Sequence, residues 1–152
     1  MIESVEVHVV DKVAIDELTD LYGAVGWVIY TAAPAKLETA VTNSSHVVVA
    51  RAGGQLIGLA RGMSDDVSIF YLQDILVRPE WQHQGIGRRL LKNCLERFSH
   101  VRQKVLLTDG ETAQHRFYES MGYRDIGRVA NVNLHAFVRI EGLEMVTDPP
   151  RT

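Results

Sequence analysis

The sequence has 152 residues, 46% of them hydrophobic and 23% charged, so it is long enough to bury one hydrophobic core and we expect a single domain. Its net charge of −3 argues against nucleic acid as a partner, and its apolar runs fall short of the ~20 residues of a membrane-spanning helix. The one cysteine, Cys94, rules out an internal disulfide and is typical of the reducing cytoplasm, while the six histidines lack the spacing of metal ligands. We therefore expect a cytoplasmic protein with no metal, no nucleic acid partner and no membrane partner.

Hydrophobic periodicity predicts strands and helices in alternation over the first half of the chain. The predicted elements are a strand over 3–10, helices over 13–24 and 34–43, and strands over 46–51 and 55–62. Asp11 is expected to cap the first of these helices. Gly53 and Gly54 separate the last two strands, which is typical of a two-residue β-hairpin.

The second half continues in the same manner. The predicted elements are a strand over 67–77, a helix over 85–99, a strand over 104–107, a helix over 111–121 and two strands within 123–140. The strand over 67–77 is apolar almost throughout, as expected of a central strand covered on both faces. The Pro-rich end, 146–152, is expected to be a flexible tail. This order predicts an α/β fold with one mixed, mostly antiparallel sheet flanked by helices.

The most informative segment lies between the strand over 67–77 and the helix over 85–99. Gly85 and Gly87 stand at the start of an amphipathic helix, where free backbone N–H groups and the positive helix end suit a bound phosphate. Two common phosphate loops are excluded. Leu90 occupies the position where a dinucleotide-binding loop needs a third small residue, and Arg88 follows Gly87 where a nucleoside triphosphate loop needs lysine.

Two motifs give the chain a family resemblance. Gln82-x-x-Gly85-x-Gly87, after a strand that ends at Val77, and the later Phe117-Tyr118-x-x-x-Gly122-Tyr123 resemble motifs of the GCN5-related N-acetyltransferases, the GNAT superfamily. The resemblance covers residues 45–127 and implies a GNAT-like domain over 1–145. It also implies acetyl-CoA as co-substrate, bound where the sheet splays between the strands at 67–77 and 103–107.

The resemblance further implies which residues hold acetyl-CoA. In the family, backbone N–H groups of the glycine segment bind the CoA pyrophosphate, and those of the preceding strand donate hydrogen bonds to the carbonyl oxygen of the thioester. The residues implied are Ile75, Leu76, Val77, Gln82, His83, Gln84, Gly85, Ile86, Gly87 and Arg88. Many relatives carry asparagine and alanine before the tyrosine helix, where this chain has Glu111 and Gln114. The usual pantetheine contact would then fall to Thr108 or Asp109.

Moving an acetyl group from a thioester to an amine requires removal of a proton from the amine and an acid for the departing thiolate. The resemblance implies that Tyr118 is this acid. Asp74 is expected on the same strand face as Leu72 and Leu76, where a carboxylate is costly to bury. It is a general base with a raised pKa, a ligand for a cationic acceptor, or a structural residue that ties down a bulge or a loop.

Aromatic residues mark the expected acceptor pocket. Trp27, Tyr30 and Tyr71 are candidates to line it, and core packing is the alternative for each. The chain is thus expected to be an acetyl-CoA-dependent N-acetyltransferase that transfers acetyl directly to a primary amine of a small molecule or peptide, with a homodimer left open. Two alternatives remain: a non-catalytic acyl-CoA-binding or regulatory module, and a transferase that uses another acyl-CoA.

Overall fold

The computed structural model describes residues 4–143, which form one sheet and its covering helices. Its elements are β1 (Val5–Val9), α1 (Ile15–Ala24), α2 (Val28–Thr31), α3 (Pro34–Thr42), β2 (His46–Ala52), β3 (Gln55–Ser64), β4 (Ile69–Val77), a 3₁₀ turn (Pro79–Trp81), α4 (Ile86–Arg97), β5 (Gln103–Leu106) and α5 (Thr112–Ser120). The predicted order is confirmed as far as α5, with α2 as a short addition. The predicted tail over 146–152 lies outside the described residues.

The five strands form a mixed sheet in the order β1-β2-β3-β4-β5. The first three pairs are antiparallel, and β4 pairs with β5 in parallel through a crossover that contains α4. This confirms the predicted α/β class and the mostly antiparallel sheet. Gly53 and Gly54 both have positive φ angles, 54° and 81°, as the predicted hairpin between β2 and β3 requires.

Helices cover both faces of the sheet and bury two apolar clusters. Helix α4 packs on one face through the stripe that its sequence predicts, with Ile86, Leu90, Leu91, Cys94 and Phe98 buried. On the other face, α1 and α3 bury Leu18, Leu21, Tyr22, Leu37 and Val41. The expected cap of α1 is wrong: its N-cap is Ala14, and no side chain caps it. No helix within residues 4–143 has both the length and the apolar character needed to cross a membrane.

A β-bulge at Gln73 changes the face that β4 presents to each cluster. Leu72 pairs with Gly62 and Asp74 pairs with Arg61, so Gln73 has no partner on β3. The extra residue shifts the alternation of side chains, and the strand's faces exchange beyond it. Leu72 therefore packs under α4, whereas Leu76 packs under α1 and α3. The expectation that Asp74 shares a face with both leucines is wrong, because Asp74 follows the bulge and lies with Leu76 alone.

The two strands predicted within 123–140 are not formed. The structure describes 123–143 as turns and extended chain without a strand, and its apolar side chains are exposed, with Leu134 at 60% and Phe137 at 94%. The alternation over 132–140 is typical of a strand. A strand, however, is stable only when its backbone groups pair with a neighbouring edge, and the pattern does not specify such a partner.

Candidate functional site

The site is a cleft that opens where β4 and β5 stop pairing. Their ladder joins Ile69–Leu72 to Gln103–Leu106 and ends there, so Gln73–Val77 has no neighbouring strand from residues 4–143 on this edge. This is the splay expected between the two strands. The gap is a cavity of about 170 Å³. Its lining residues are Trp27, Leu72, Gln73, Ile75, Leu106, Leu107, Thr108, Asp109, Gln114 and Tyr118.

The loop that follows β4 presents a row of free backbone donors. Across residues 4–143, no protein group accepts a hydrogen bond from any backbone N–H of 83–88. Gly85 is the N-cap of α4 with φ +79°, and His83 also has a positive φ of 62°. A Cβ built on Gly85 would meet nothing within 4 Å, so glycine is favoured there by the left-handed backbone and not by crowding. Free donors at the positive end of a helix form an anion-binding surface.

Side chains of the same loop are engaged within the protein. Gln82 Nε2 donates to the carbonyl oxygen of Val77 at 2.9 Å, which ties the loop to the end of β4. Arg88 Nη1 donates to Ser120 Oγ at 3.1 Å, which joins α4 to the end of α5. The loop's shape is thus fixed by its side chains, and its backbone N–H groups are left for a ligand.

Tyr118 is one of the residues that line the cleft. Its side chain comes from α5 and is 8% exposed, and its ring contacts those of Phe117 and Tyr123 edge-on. Burial, and to a lesser degree the negative charge of Asp109, raises the pKa of Tyr118 to about 12, and no hydrogen bond from the described part of the chain offsets this. Tyr118 therefore keeps its proton at neutral pH, as a general acid must.

Asp74 lies in a buried polar cluster behind the cleft. Its carboxylate accepts hydrogen bonds from Arg61 Nε at 2.6 Å, from the Tyr22 hydroxyl at 2.9 Å and from the Tyr30 hydroxyl at 2.9 Å. Asp74 and Arg61 are each 4% exposed. Burial lowers the pKa of Arg61, but the adjacent carboxylate outweighs this and raises the value above the ordinary one. A paired and hydrogen-bonded carboxylate of this kind holds elements together.

The three predicted pocket aromatics have different positions. Trp27 lines the cavity, whereas Tyr71, half-buried on β4, does not. Tyr30 stands between the cavity and the buried cluster, since its oxygen contacts both Gln73 Nε2, at 3.3 Å, and Asp74. Trp27 and Tyr30 also pack against Tyr22 of α1, which fixes their positions.

Some residues of the cleft escape prediction from the sequence. Leu106, Leu107 and Gln114 line the same cavity as Leu72 and Ile75 of β4, and no local pattern encodes this approach of distant segments. Gln73 lines it because of the bulge. A polar residue beside an aspartate in an otherwise apolar strand was the only available signal for the bulge. Thr108 and Asp109, the expected substitutes for the family's asparagine, both line the cavity.

Residues 19–142 match the family model of the acetyltransferase (GNAT) domain. The chain belongs to the GNAT family. A candidate acetyltransferase of Gibberella zeae is 30% identical over 89 residues, which are 57% of this chain and 49% of that protein. The GNAT chain thus spans about half the length of that curated relative.

Solved structures share the GNAT fold over most of the chain. A GNAT-family acetyltransferase of Streptococcus pneumoniae is 28% identical, with a TM-score of 0.74 over 90% of this chain and 100% of that one. An aminoglycoside N-acetyltransferase, AAC(6')-Iy, solved in complex with CoA, has a TM-score of 0.68 at 14% identity, over 93% of this chain and 97% of that one. The second likeness concerns the fold alone.

Proposed function

We propose that this GNAT protein is an N-acetyltransferase that moves an acetyl group from acetyl-CoA to a primary amine of a small molecule or peptide. The observation that carries the proposal is the row of N–H groups over 83–88, free of partners within residues 4–143, beside a cleft lined by Tyr118, whose hydroxyl has no hydrogen-bond partner in the same part of the chain. A module that only bound acyl-CoA would need the first feature and not the second. A cytoplasmic location is part of the proposal, since a single cysteine suits a reducing compartment.

The residues of the cleft fit acetyl-CoA. The N–H groups of 83–88 and the positive end of α4 would hold the pyrophosphate, with Arg88 beside them. The free edge of β4 over Ile75, Leu76 and Val77 offers backbone hydrogen bonds to an extended amide-containing arm, as strand edges do for peptides. On the opposite wall, Thr108, Asp109 and Gln114 are available to the same arm.

The protein's own groups then have defined tasks. Bound acetyl-CoA supplies the acetyl group: the amine nitrogen bonds to the carbonyl carbon, the carbon–sulfur bond breaks, and N-acetyl amine and CoA thiol result. Tyr118 gives its hydroxyl proton to the departing sulfur and regains one from solvent. Backbone N–H groups on the free edge of β4 stabilise the charge that grows on the carbonyl oxygen.

We assign Asp74 a positioning role and not that of the base. Its carboxylate is 4% exposed and already accepts three hydrogen bonds, one of them from the Arg61 guanidinium. A proton taken from the amine would have to displace one of these donors. The amine proton leaves instead to water in the open part of the cleft, where Asp109 lies.

The proposal is tested by release of CoA thiol from acetyl-CoA over a panel of amines: arylalkylamines, polyamines, amino sugars, aminoglycosides, amino acids and lysine peptides. We expect release with one class of amine, and formation of the N-acetyl product by mass spectrometry. Thermal stabilisation by acetyl-CoA with no thiol release on any amine would instead identify a binding module. Faster transfer from propionyl-CoA or succinyl-CoA would identify a transferase for another acyl group.

A further inference from the structure

A chain of hydrogen bonds runs from the buried ion pair to the cleft. Arg61 donates to Asp74, Asp74 accepts from the Tyr30 hydroxyl, and the Tyr30 oxygen in turn contacts Gln73 Nε2 at 3.3 Å. Gln73 is the last member, and its side chain is exposed and lines the cavity that also contains Tyr118. The bulge creates this arrangement, since it removes Gln73 from pairing with β3 while Asp74 beside it is buried.

The direction of each hydrogen bond in this chain is fixed by chemistry. A carboxylate only accepts, so the single proton of the Tyr30 hydroxyl is used on Asp74 Oδ1. Burial raises the pKa of Tyr30, which keeps that proton in place. The Tyr30 oxygen is therefore an acceptor toward Gln73, and Gln73 must present its amino group to it. The amide oxygen, Oε1, then remains without a donor from any residue within 4–143.

Around this oxygen the cleft combines apolar and polar side chains and carries little charge. Apolar side chains on its wall are Trp27, Leu72, Ile75, Leu106 and Leu107. Asp109 is the one carboxylate among the lining residues that the structure describes. An acceptor with several cationic groups would need several carboxylates to replace the water around them, whereas an amine with an apolar body would not.

We infer that Gln73 Oε1 accepts an N–H of the acceptor amine, and that this acceptor is a primary amine with an apolar body. A primary amine can give one N–H to Gln73 and still direct its lone pair at the acetyl carbon. Tyr30, Asp74 and Arg61 are positioning residues, because they determine which end of the Gln73 amide faces the cleft. This inference rests on the proposed function and adds its acceptor class.

The test uses 2-phenylethylamine and phenylalanine amide as acceptors and three variants of the full chain. Gln73→Leu keeps the size and removes the oxygen, Gln73→Glu keeps an accepting oxygen, and Gln55→Leu alters an exposed glutamine outside the cleft. We expect Gln73→Leu to lower kcat/KM for the amine about tenfold, the effect of one lost hydrogen bond, with the KM for acetyl-CoA unchanged. Gln55→Leu should stay within about threefold of the parent protein, and Gln73→Glu should lose less than Gln73→Leu, because its carboxylate still accepts the N–H although it cannot donate to the Tyr30 oxygen.

Two results would overturn the inference while the proposed function stands. One is an unchanged amine kcat/KM in Gln73→Leu, or equal losses in Gln73→Leu and Gln73→Glu, which would give Gln73 a structural role only. The other is transfer by the parent protein to polyamines or aminoglycosides but to neither apolar amine. Failure of the proposed function is distinct, since the parent protein would then release no thiol with any amine. Melting temperatures of the variants exclude misfolding as the cause of a loss.

Discussion

Tyr118 and Tyr123 belong to one sequence motif and contact each other edge-on, 6.1 Å between ring centroids, yet their hydroxyls have different surroundings. The hydroxyl of Tyr118 belongs to a residue that lines the cleft. That of Tyr123 is buried without a hydrogen-bond partner in the described chain, and burial raises the pKa of Tyr123 well above its usual value. The two residues therefore predict opposite outcomes for the same substitution.

Tyr118→Phe is expected to lower kcat about 100-fold, at the lower end of the range for loss of a general acid. Acetyl-CoA affinity should stay nearly unchanged, because the backbone groups of 83–88 are untouched. Because burial raises the pKa of Tyr118 to about 12, its acid form persists on the alkaline side, and the parent protein should lose no activity from Tyr118 ionisation below about pH 10. Steady-state rates from pH 6 to 10, with isothermal titration of acetyl-CoA, check this. An unchanged kcat would refute the assigned role.

Tyr123→Phe should stabilise the protein by about 1 kcal/mol, because it removes a buried hydroxyl that has no partner. Its activity should match that of the parent protein, which makes it the matched control for Tyr118→Phe. Urea denaturation of both variants measures the free energy of unfolding. Destabilisation by Tyr123→Phe would mean that the hydroxyl has a partner, such as a bound water.

At the scale of elements, two glycines at the start of α4 are needed for different reasons, Gly85 for its backbone conformation and Gly87 for the space that it leaves to a ligand. Gly85 has φ +79°, a conformation that costs other residues about 1–2 kcal/mol. Gly87 does not have a positive φ angle. A Cβ at Gly87 would lie 3.8 Å from Phe117 and 4.0 Å from Val77, which are ordinary contact distances. Gly87 is therefore free to take a side chain as far as folding is concerned, but that side chain would stand between the end of β4 and α5.

We therefore expect Gly85→Ala to lower both the free energy of unfolding, by about 1 kcal/mol or more, and the affinity for acetyl-CoA. Gly87→Ala should lower the affinity about tenfold or more with little change in stability, since the added methyl group meets the ligand and not the protein. Thermal denaturation and acetyl-CoA titration of both variants test the distinction. Equal loss of stability in the two would show that Gly87 serves packing.

At the scale of the whole molecule, the Asp74–Arg61 pair joins the sheet to the helices on one face. The carboxylate reaches Tyr22 of α1 and Tyr30 of α2, while Arg61 Nη1 donates to the carbonyl oxygen of Ala40 in α3 at 3.4 Å. The network therefore spans β3, β4 and three helices. Loss of the network should lower the free energy of unfolding. It should lower activity only indirectly, because Gln73 would no longer be held in position.

Asp74→Asn is expected to cost about 3–5 kcal/mol of the free energy of unfolding, because it leaves the buried Arg61 guanidinium without a counter-charge. Glu96→Gln is the control, since the exposed Lys92–Glu96 pair at 3.8 Å should contribute less than about 1 kcal/mol. Urea denaturation compares the two. Loss of activity in Asp74→Asn with unfolding energy preserved would restore the general-base role.

The local elements and the loop before α4 could be predicted from the sequence because their causes are local. The stripe of α4 follows from helical spacing, and the anion-binding surface follows from glycines placed at a helix start. The role proposed for Tyr118 required the family resemblance, since an aromatic residue on a helix fits a core equally well. The family itself is confirmed over 19–142.

The surroundings of Asp74, the lining of the cleft and the conformation of the segment over 123–143 depend on contacts between distant residues. One unpaired residue, Gln73, reversed the faces of β4 and moved Asp74 from the side of Leu72 to that of Tyr22 and Tyr30. The segment over 132–140 has the alternation of a strand but no pairing edge within the described chain. A sequence by itself determines the conformation and the face that a segment prefers. Only the tertiary structure decides which partner satisfies it, because hydrogen bonds and buried charges are paired across residues that lie far apart in the chain.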